Sequence, residues 1–130
     1  MIMRNNKYGA RKYTVDGITF DSRKEARRYQ ELKLLQRAGR IAELRLQVRF
    51  ELLPAQYEKT DAVYTKGPRK GQPKRGRCIE NSVVYVADFV YTEDGRMIAE
   101  DVKGMRTKDY ILKRKLFRYF YGESYEFREV

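Results

Sequence analysis

Two segments decide the fold of this chain: Val83-Val84-Tyr85-Val86-Ala87-Asp88-Phe89-Val90-Tyr91 and Met97-Ile98-Ala99-Glu100-Asp101-Val102-Lys103-Gly104. The β-branched and aromatic residues of the first segment are typical of a strand, and the second segment is a shorter, mixed strand. Between them, Glu93-Asp94-Gly95-Arg96 predicts a tight turn. We therefore expect the two segments to pair as neighbouring strands of one sheet.

Acidic residues interrupt both of these strands. A buried carboxylate is costly unless a cation, a hydrogen-bond donor or a metal ion compensates it. Because side chains alternate between the two faces of a strand, Asp101 and Lys103 share one face and Glu100 lies on the other. If the strands pair, Asp88 lies beside Asp101 and Lys103, which together suit divalent-metal hydrolysis of phosphodiesters. Glu100 is then expected to be a structural or ion-pair residue that faces away from them.

Length and charge narrow the class of protein. At 130 residues the chain is expected to be a single domain, residues 1–130. Its formal net charge of +11 favours a polyanionic partner, and nucleic acid is the first candidate, although other basic proteins share such a charge. No apolar run approaches the roughly 20 residues of a membrane span, so no membrane partner is expected. Residues 1–10 are polar and are expected to be flexible. They lack the pattern of a signal peptide, which favours the cytoplasm.

The residue inventory excludes several kinds of chemistry. The chain has no histidine, which rules out histidine-based triads, zinc sites and nucleases. With one cysteine, Cys78, it can form neither an intramolecular disulfide nor a cysteine zinc cluster. No glycine-rich phosphate loop occurs, so no nucleotide cofactor is expected. Asp, Glu and Lys remain, and their oxygen ligands suit Mg²⁺ or Mn²⁺.

The flanking segments predict a mixed α/β fold. Asp16-Gly17 predicts an N-terminal β-hairpin with Val15 opposite Ile18 and Tyr13 opposite Phe20. A helix is expected from residues 21–25 to about residue 37. Ala26, Tyr29, Leu32 and Leu35 recur on its inner stripe, and Leu34 widens that stripe. Residues 41–44 are expected to add one more helical turn, and a strand follows over 45–53.

The second half of the chain contains a loop, a helix and an edge strand. Residues 66–77 are rich in basic residues, Gly and Pro, and are expected to form an exposed, mobile loop between the arms of a long hairpin. A helix capped by Thr107 or Asp109 is expected to end at about Tyr121. Its inner stripe is expected to be Leu112, Leu116 and Phe120, with Ile111 and Phe117 alongside. Residues 125–130 are expected to form a short edge strand. The whole is a small mixed sheet flanked by helices.

Two polar residues outside the acidic strands have competing interpretations. Ser22-x-x-Glu25 is a capping box, in which the Glu25 side chain satisfies a helix amide. Glu25 also lies on one helical stripe with Tyr29 and Leu32, which would direct its carboxylate at the sheet. Gln47, in the middle of a strand, either faces solvent or contacts the same site.

The acidic strands carry a family resemblance. Asp88 followed by Asp101-x-Lys103 resembles the PD-(D/E)XK nuclease superfamily, with Ala87 where that name has proline. The order of helix glutamate, strand Asp and strand acid-x-Lys is also similar to archaeal-type Holliday junction resolvases. Four blocks resemble a family of small phage and prophage proteins: Phe20-Asp21-Ser22-Arg23-Lys24-Glu25-Ala26, Leu46-Gln47-x-Arg49-Phe50-Glu51-Leu52, Tyr85-Val86-Ala87-Asp88-Phe89 and Glu100-Asp101-Val102-Lys103-Gly104.

The resemblance implies a restriction-endonuclease-like core and a catalytic site. Its expected catalytic residues are Glu25, Gln47, Asp88, Asp101 and Lys103. The expected ligands of Mg²⁺ or Mn²⁺ are Asp88, Asp101, the Val102 carbonyl and Glu25. Lys103 would orient the attacking water or stabilise the scissile phosphate.

Basic residues supply candidate DNA contacts on two surfaces. Each surface would neutralise phosphates rather than read bases, although a solvated loop would have the same composition. The expected contacts are Lys66, Arg69, Lys70, Lys74, Arg75 and Arg77 in the loop, and Lys108, Lys113, Arg114, Lys115 and Arg118 on the last helix.

We therefore expect a metal-dependent DNA endonuclease of phage or prophage type, which would act in the cytoplasm of the host cell if a phage encodes it. By analogy with Holliday junction resolvases, we expect it to prefer branched DNA and to act as a homodimer. A nicking or homing-type endonuclease is a variant of this expectation. The alternative is a DNA-binding phage accessory protein that keeps the fold without turnover.

Overall fold

The computed structural model describes residues 2–5 and 11–130. The strands and helices of this part of the chain are, in order, β1 (Ile2–Asn5), β2 (Arg11–Val15), β3 (Ile18–Phe20), α1 (Arg23–Arg37), β4 (Ala42–Leu53), β5 (Gln56–Tyr57), β6 (Cys78–Glu80), β7 (Val83–Glu93), β8 (Arg96–Asp101), α2 (Lys108–Tyr121) and β9 (Tyr125–Glu129). Residues 2–5, which we expected to be flexible, form β1 and pair with β2. The remainder of that prediction, Met1 and residues 6–10, lies outside the described residues.

The main sheet has four strands in the order β4-β7-β8-β9. The first three strands are antiparallel, and β9 runs parallel to β8 at the edge. A separate three-stranded sheet contains the predicted N-terminal hairpin, in which Val15 pairs with Ile18 and Tyr13 with Phe20. The predicted α/β class, with a small mixed sheet, flanking helices and an N-terminal hairpin, is confirmed.

Each face of the main sheet packs against one helix. On the first face, Ala26, Tyr29 and Leu32 of α1 pack against Phe89, Tyr91 and Ile98 of the sheet and the hairpin residues Tyr13 and Phe20. The second face packs Tyr110 and Phe117 of α2 against Phe50, Tyr85, Ala87, Val90 and Ala99. Strands β7 and β8 are therefore covered on both sides, and polar side chains within them must be compensated inside the protein.

The inner face of α1 is confirmed at Ala26, Tyr29 and Leu32, whereas Leu34 and part of the α2 stripe differ from the prediction. Leu112 and Phe120 of α2 are 57% and 51% exposed, and Leu34 of α1 is 61% exposed. In α2 the fully buried residue is Phe117, which packs edge-on against Phe50 with ring centroids 4.9 Å apart. Apolar residues surround much of α2, so helical spacing alone did not identify the side that the aromatic cluster would select.

Residues 41–44 do not form a helical turn. Gly39 adopts φ 78° after the helix, and β4 begins at Ala42. Glu43 has φ 57°, and the Leu44 amide donates to Gln36 Oε1 at 2.8 Å. A side chain of α1 thus takes up a backbone donor that a helix would have used, and the chain turns into the sheet.

Residues 56–80 form a two-stranded ribbon, named here the basic ribbon, between β4 and β7. Its backbone is paired beyond β5 and β6: the Glu58 amide donates to the Arg77 carbonyl, the Lys74 amide to Ala62 and the Tyr64 amide to Gln72, at 2.8–3.0 Å. Residues 72–77, half of the predicted loop over residues 66–77, are therefore part of the returning arm of a hydrogen-bonded hairpin, and residues 66–71 form its turn. The prediction was based on a composition without apolar residues, but backbone pairing does not require an apolar core.

Neither helix in the described part of the chain is long and apolar enough to cross a membrane.

Candidate active site

The pairing of β7 with β8 brings the two predicted aspartates together. Phe89 pairs with Glu100, so Asp88 lies opposite Asp101 at the end of β8. Asp101 is 2% exposed and Asp88 is half-buried. The structure therefore places Asp88 beside Asp101, with Glu100 on the other face of β8, as expected. Lys103 lies beside Asp101.

Asp101 is held by two neighbours that differ in kind. Its Oδ2 accepts a hydrogen bond of 2.5 Å from the Tyr85 hydroxyl. Its Oδ1 lies 2.9 Å from Lys103 Nζ, but the angles do not make this ionic contact a hydrogen bond. Among the described residues this buried oxygen has no hydrogen-bond partner, so its lone pairs are available to a cation.

Lys103 is fixed at both its side chain and its backbone. Its Nζ lies 4.1 Å from the centroid of the Tyr110 ring, a cation–π distance. Its amide donates to the Val130 carbonyl at 3.1 Å, and its carbonyl accepts from Lys24 Nζ at 2.9 Å. The ammonium group is therefore positioned beside Asp101 by α2, by the chain end and by α1.

Asp88 accepts hydrogen bonds at both oxygens. The Val102 amide donates to Oδ2 at 2.8 Å, and Gln47 Nε2 donates to Oδ1 at 3.3 Å. Gln47 also donates to Glu25 Oε1 at 3.2 Å. It lies opposite Asp88 between two paired positions of β4 and β7 and has φ 51°, which is rare for glutamine. This backbone turn directs its amide to link Glu25 on α1 with Asp88 on β7.

The backbone and the side chain of Glu25 have different roles. Its backbone amide donates a hydrogen bond to Ser22 Oγ at 3.1 Å, and Ser22 thereby caps α1. Its carboxylate instead accepts from Gln47 and faces the aspartates. Ser22 thus caps the helix by itself, and the Glu25 side chain is part of the acidic cluster.

Burial and mutual repulsion raise the pKa values of two carboxyl groups in this cluster. The pKa of Glu25 rises to about 7, first because of burial and then because of the charges of Asp88, Asp21 and Asp101, with Lys103 opposing. The pKa of Asp88 rises to about 6, mainly because of burial, although the hydrogen bond from the Val102 amide lowers it. Asp101 raises the pKa of Asp88 further, because it repels the ionised carboxylate and accepts a hydrogen bond from the protonated form. One lysine does not compensate this concentration of negative charge, which favours an added cation.

The residues present fit a hard divalent cation. Asp101 Oδ1 has no hydrogen-bond partner in the described part of the chain. The other possible metal ligands close to it are carboxylate and backbone oxygens. No three carboxylate or thiol side chains within residues 2–5 and 11–130 converge on one point. A cation would therefore be held by Asp88 and Asp101, completed by the Val102 carbonyl or by water and substrate oxygens. Mg²⁺ is usually bound in this way, through one or two carboxylates.

An open cleft gives access to the cluster from the α2 side. The cleft has a volume of about 300 Å³. Two lysines line it, Lys103 and Lys113, together with the Asp101 carboxylate. Lys113 also lies 3.5 Å from Asp109. A phosphate group in this cleft would therefore lie close to both Asp101 and two ammonium groups.

Glu100 lies on the opposite face and has a different role. It is fully buried, and its carboxylate accepts two hydrogen bonds from Arg28. Arg28 Nε donates to Oε2 at 2.7 Å and Nη2 donates to Oε1 at 2.9 Å. The Tyr91 hydroxyl donates to it at 2.7 Å. The expectation that Glu100 is an ion-pair residue is confirmed, and its negative charge is compensated inside the α1 core.

The predicted DNA-binding residues fall into two groups. The six on the basic ribbon, Lys66, Arg69, Lys70, Lys74, Arg75 and Arg77, are exposed. On α2, Lys108, Lys115 and Arg118 are exposed, but Arg114 is half-buried 3.6 Å from Glu129. The structure therefore does not place Arg114 on the free basic surface.

Three contributors to the cluster were not predicted. Tyr85, Tyr110 and Lys24 contact Asp101 or Lys103 from β7, α2 and α1. Regular strand alternation would place Tyr85 on the face away from Asp88, but the alternation shifts between Ala87 and Phe89, and Tyr85 therefore lies on the α2 side. The positions of Tyr110 and Lys24 depend on how the helices pack. The sequence contained no signal for any of the three.

The raised pKa values predict how stability depends on pH without divalent cations. A carboxyl group with a raised pKa holds its proton more tightly in the folded state than in the unfolded state. It therefore adds to the free energy of unfolding below pH 4, and this stabilisation is lost as the pH rises through 6 to 7. Asp88→Asn cannot ionise, so between about pH 4 and about pH 7 its free energy of unfolding should rise by about 3 kcal/mol relative to wild type. Urea unfolding in EDTA measures this, with the exposed Asp94→Asn as control. An equal pH dependence of wild type and Asp88→Asn would contradict the prediction.

These observations define a small α/β protein with a carboxylate and lysine cluster at the end of a central strand. The family described as protein of unknown function (DUF1064) matches residues 5–128, and the chain belongs to this family. No curated protein matches the chain, and no solved structure does. These comparisons assign no function to the chain, so the functional proposal is argued from the residues of the site.

Proposed function

We propose that this protein is a metal-dependent DNA endonuclease of the PD-(D/E)XK type. The observation that carries the proposal is the convergence of Asp88, Asp101 and Lys103 beside an open cleft. Clustered carboxylates repel one another and a polyanion, so a protein that only binds DNA gains nothing from them. A hydrolase gains a cation site at the scissile phosphate.

The residues have separate roles in the proposed reaction. Asp88 and Asp101 would hold Mg²⁺ or Mn²⁺, with the Val102 carbonyl as a further ligand. An ion held there would supply Lewis-acid chemistry, which would lower the pKa of a water molecule and neutralise charge on the phosphate. Lys103 places its ammonium beside Asp101 and stabilises the negative charge that gathers on the phosphate oxygens.

Hydrolysis requires a water oxygen to bond to phosphorus while one ester P–O bond breaks. The proton of that water passes to a carboxylate or to solvent, and the departing oxygen takes up a proton. Glu25, linked to Asp88 through the Gln47 amide, is placed to orient this water. Gln47 is a positioning residue, because it fixes the carboxylates of two elements relative to each other.

DNA of branched shape is the proposed substrate. The net charge of +11 favours a nucleic-acid backbone, and the exposed basic residues supply phosphate contacts without a base-reading motif. Recognition through shape suits a branched molecule, and a homodimer would cut two of its strands symmetrically. The substrate preference and the dimer rest on the resemblance to junction resolvases.

A panel of DNA substrates tests the proposal. Labelled linear duplex, single-stranded, flap and four-way-junction DNA are incubated with Mg²⁺, Mn²⁺, Ca²⁺ or EDTA. We expect cleavage with Mg²⁺ or Mn²⁺, none in EDTA, and the highest rate on a branched substrate. Binding without cleavage under every metal condition would contradict the nuclease proposal and favour a DNA-binding accessory protein.

A further inference from the structure

The basic ribbon separates charge along its length. Residues 62–79 contain six basic and no acidic residues, whereas Glu58 and Glu80 lie near its base and Asp61 about half-way along the first arm. Arg77, next to the base, pairs with Glu58 at 3.2 Å. All six basic side chains are exposed. A positive charge density of this kind on a projecting element attracts the phosphates of a nucleic acid rather than stabilising the domain.

Local contacts order the basic ribbon although it has no apolar core. Arg75 lies over the Tyr57 ring at 4.6 Å, and Arg69 and Lys74 lie over the Tyr64 ring at 5.9 and 5.7 Å. The two arms approach closely at Gly76, where an added Cβ would lie 2.8 Å from the Glu58 carbonyl oxygen. The basic side chains are thus presented on a formed hairpin, which lowers the entropy cost of binding.

The ribbon leaves the main sheet at the end of β7 towards which β8 runs, and β8 stops at Asp101, about half-way along β7 and opposite Asp88. It connects β4 to β7, whose pairing ends at Leu53 and Val83. Val83 precedes Asp88 by five positions, which is about 17 Å along a strand. Each arm of the ribbon has roughly ten residues and is about 33 Å long, close to one turn of duplex DNA.

We infer that the basic ribbon is a DNA-holding arm that lies along a groove of the duplex on one side of the cleavage site and contacts the phosphates of about one helical turn. A two-stranded ribbon fits the major groove of B-DNA. The α2 surface is a weaker candidate, since Arg114 and Lys113 already face acidic partners. The inference rests on the proposed nuclease function in taking duplex DNA as the substrate.

A charge-neutral ribbon tip tests this inference. Lys66→Gln/Arg69→Gln/Lys70→Gln removes three charges at exposed positions, and Lys33→Gln/Arg37→Gln/Arg40→Gln removes three from α1 and the turn after it as the matched control. Binding to linear duplex is measured in EDTA by fluorescence anisotropy over a range of salt. We expect the tip variant to bind tenfold more weakly or worse, with a salt slope reduced by about 0.9 for each lost phosphate contact. Equal affinities of the tip and control variants would overturn the inference.

Two further comparisons separate an ordered arm from a charge effect. Shortening the duplex from about 40 to about 12 base pairs should cost the control variant more affinity than the tip variant, because the shorter DNA lacks the turn that the ribbon holds. Gly76→Val keeps every charge but separates the arms, and should also weaken binding. If shortening costs both variants the same, or if Gly76→Val binds like wild type, the ribbon does not act as an ordered arm.

The outcomes distinguish this inference from the nuclease proposal. Tip-dependent binding without metal-dependent cleavage would support the arm and contradict the nuclease. Cleavage by a protein whose tip variant binds as well as the control would support the nuclease and overturn the arm.

Discussion

Lys103→Met is expected to lower the rate of DNA cleavage at saturating DNA by roughly a hundredfold or more. The Lys103 ammonium lies 2.9 Å from Asp101 Oδ1 and stands at the cleft that would admit the phosphate. Methionine keeps an unbranched side chain that can pack on the Tyr110 ring but removes the charge. Negative charge that gathers on the phosphate during hydrolysis would then lose its nearest positive group.

A second lysine of the same cleft provides the control. Lys113→Met removes an equal charge, but Lys113 already faces Asp109. We expect it to slow cleavage less than tenfold, mainly through weaker binding. Single-turnover rates with Mg²⁺, together with urea unfolding of each variant, separate catalysis from folding. Equal losses in Lys103→Met and Lys113→Met would contradict a specific role for Lys103.

Arg28→Met is expected to lower the free energy of unfolding by about 3–5 kcal/mol. Glu100 is fully buried and receives two hydrogen bonds from Arg28 and one from the Tyr91 hydroxyl. Without Arg28, the buried carboxylate keeps one neutral donor and its negative charge has no ionic partner.

A double-mutant cycle isolates this ion pair. Glu100→Gln removes the buried charge, so Arg28→Met should cost much less in that background than in wild type. Urea unfolding at neutral pH measures the four proteins. Equal effects of Arg28→Met in both backgrounds would show that the arginine contributes packing alone.

The sequence was most informative where local rules act without tertiary context. Ser22 and Thr107 cap their helices as expected, and Asp16-Gly17 sets the hairpin register. Strand alternation also separated Asp101 from Glu100 correctly, because β8 is regular up to Asp101. These features depend on a few neighbouring residues, which is why a single sequence was sufficient.

Features that depend on packing were not predictable in the same way. The buried side of α2 is selected by the fit of Phe117 among Phe50 and Tyr85, which no helical spacing specifies. The φ of 51° at Gln47 is unusual for its residue type, yet it places the amide between Glu25 and Asp88. The pairing of the basic ribbon depends on backbone hydrogen bonds that composition does not reveal.

The proposal that Asp88 and Asp101 hold a catalytic cation is tested most directly by a Mg²⁺ titration of DNA cleavage. Single-turnover rates on the preferred substrate are compared for wild type, Asp101→Asn and the exposed control Asp94→Asn. We predict that the rates of wild type and Asp94→Asn rise with Mg²⁺ and saturate, while Asp101→Asn stays at the level seen in EDTA. Cleavage by Asp101→Asn with the Mg²⁺ dependence of wild type, or cleavage by wild type in EDTA, would contradict the account.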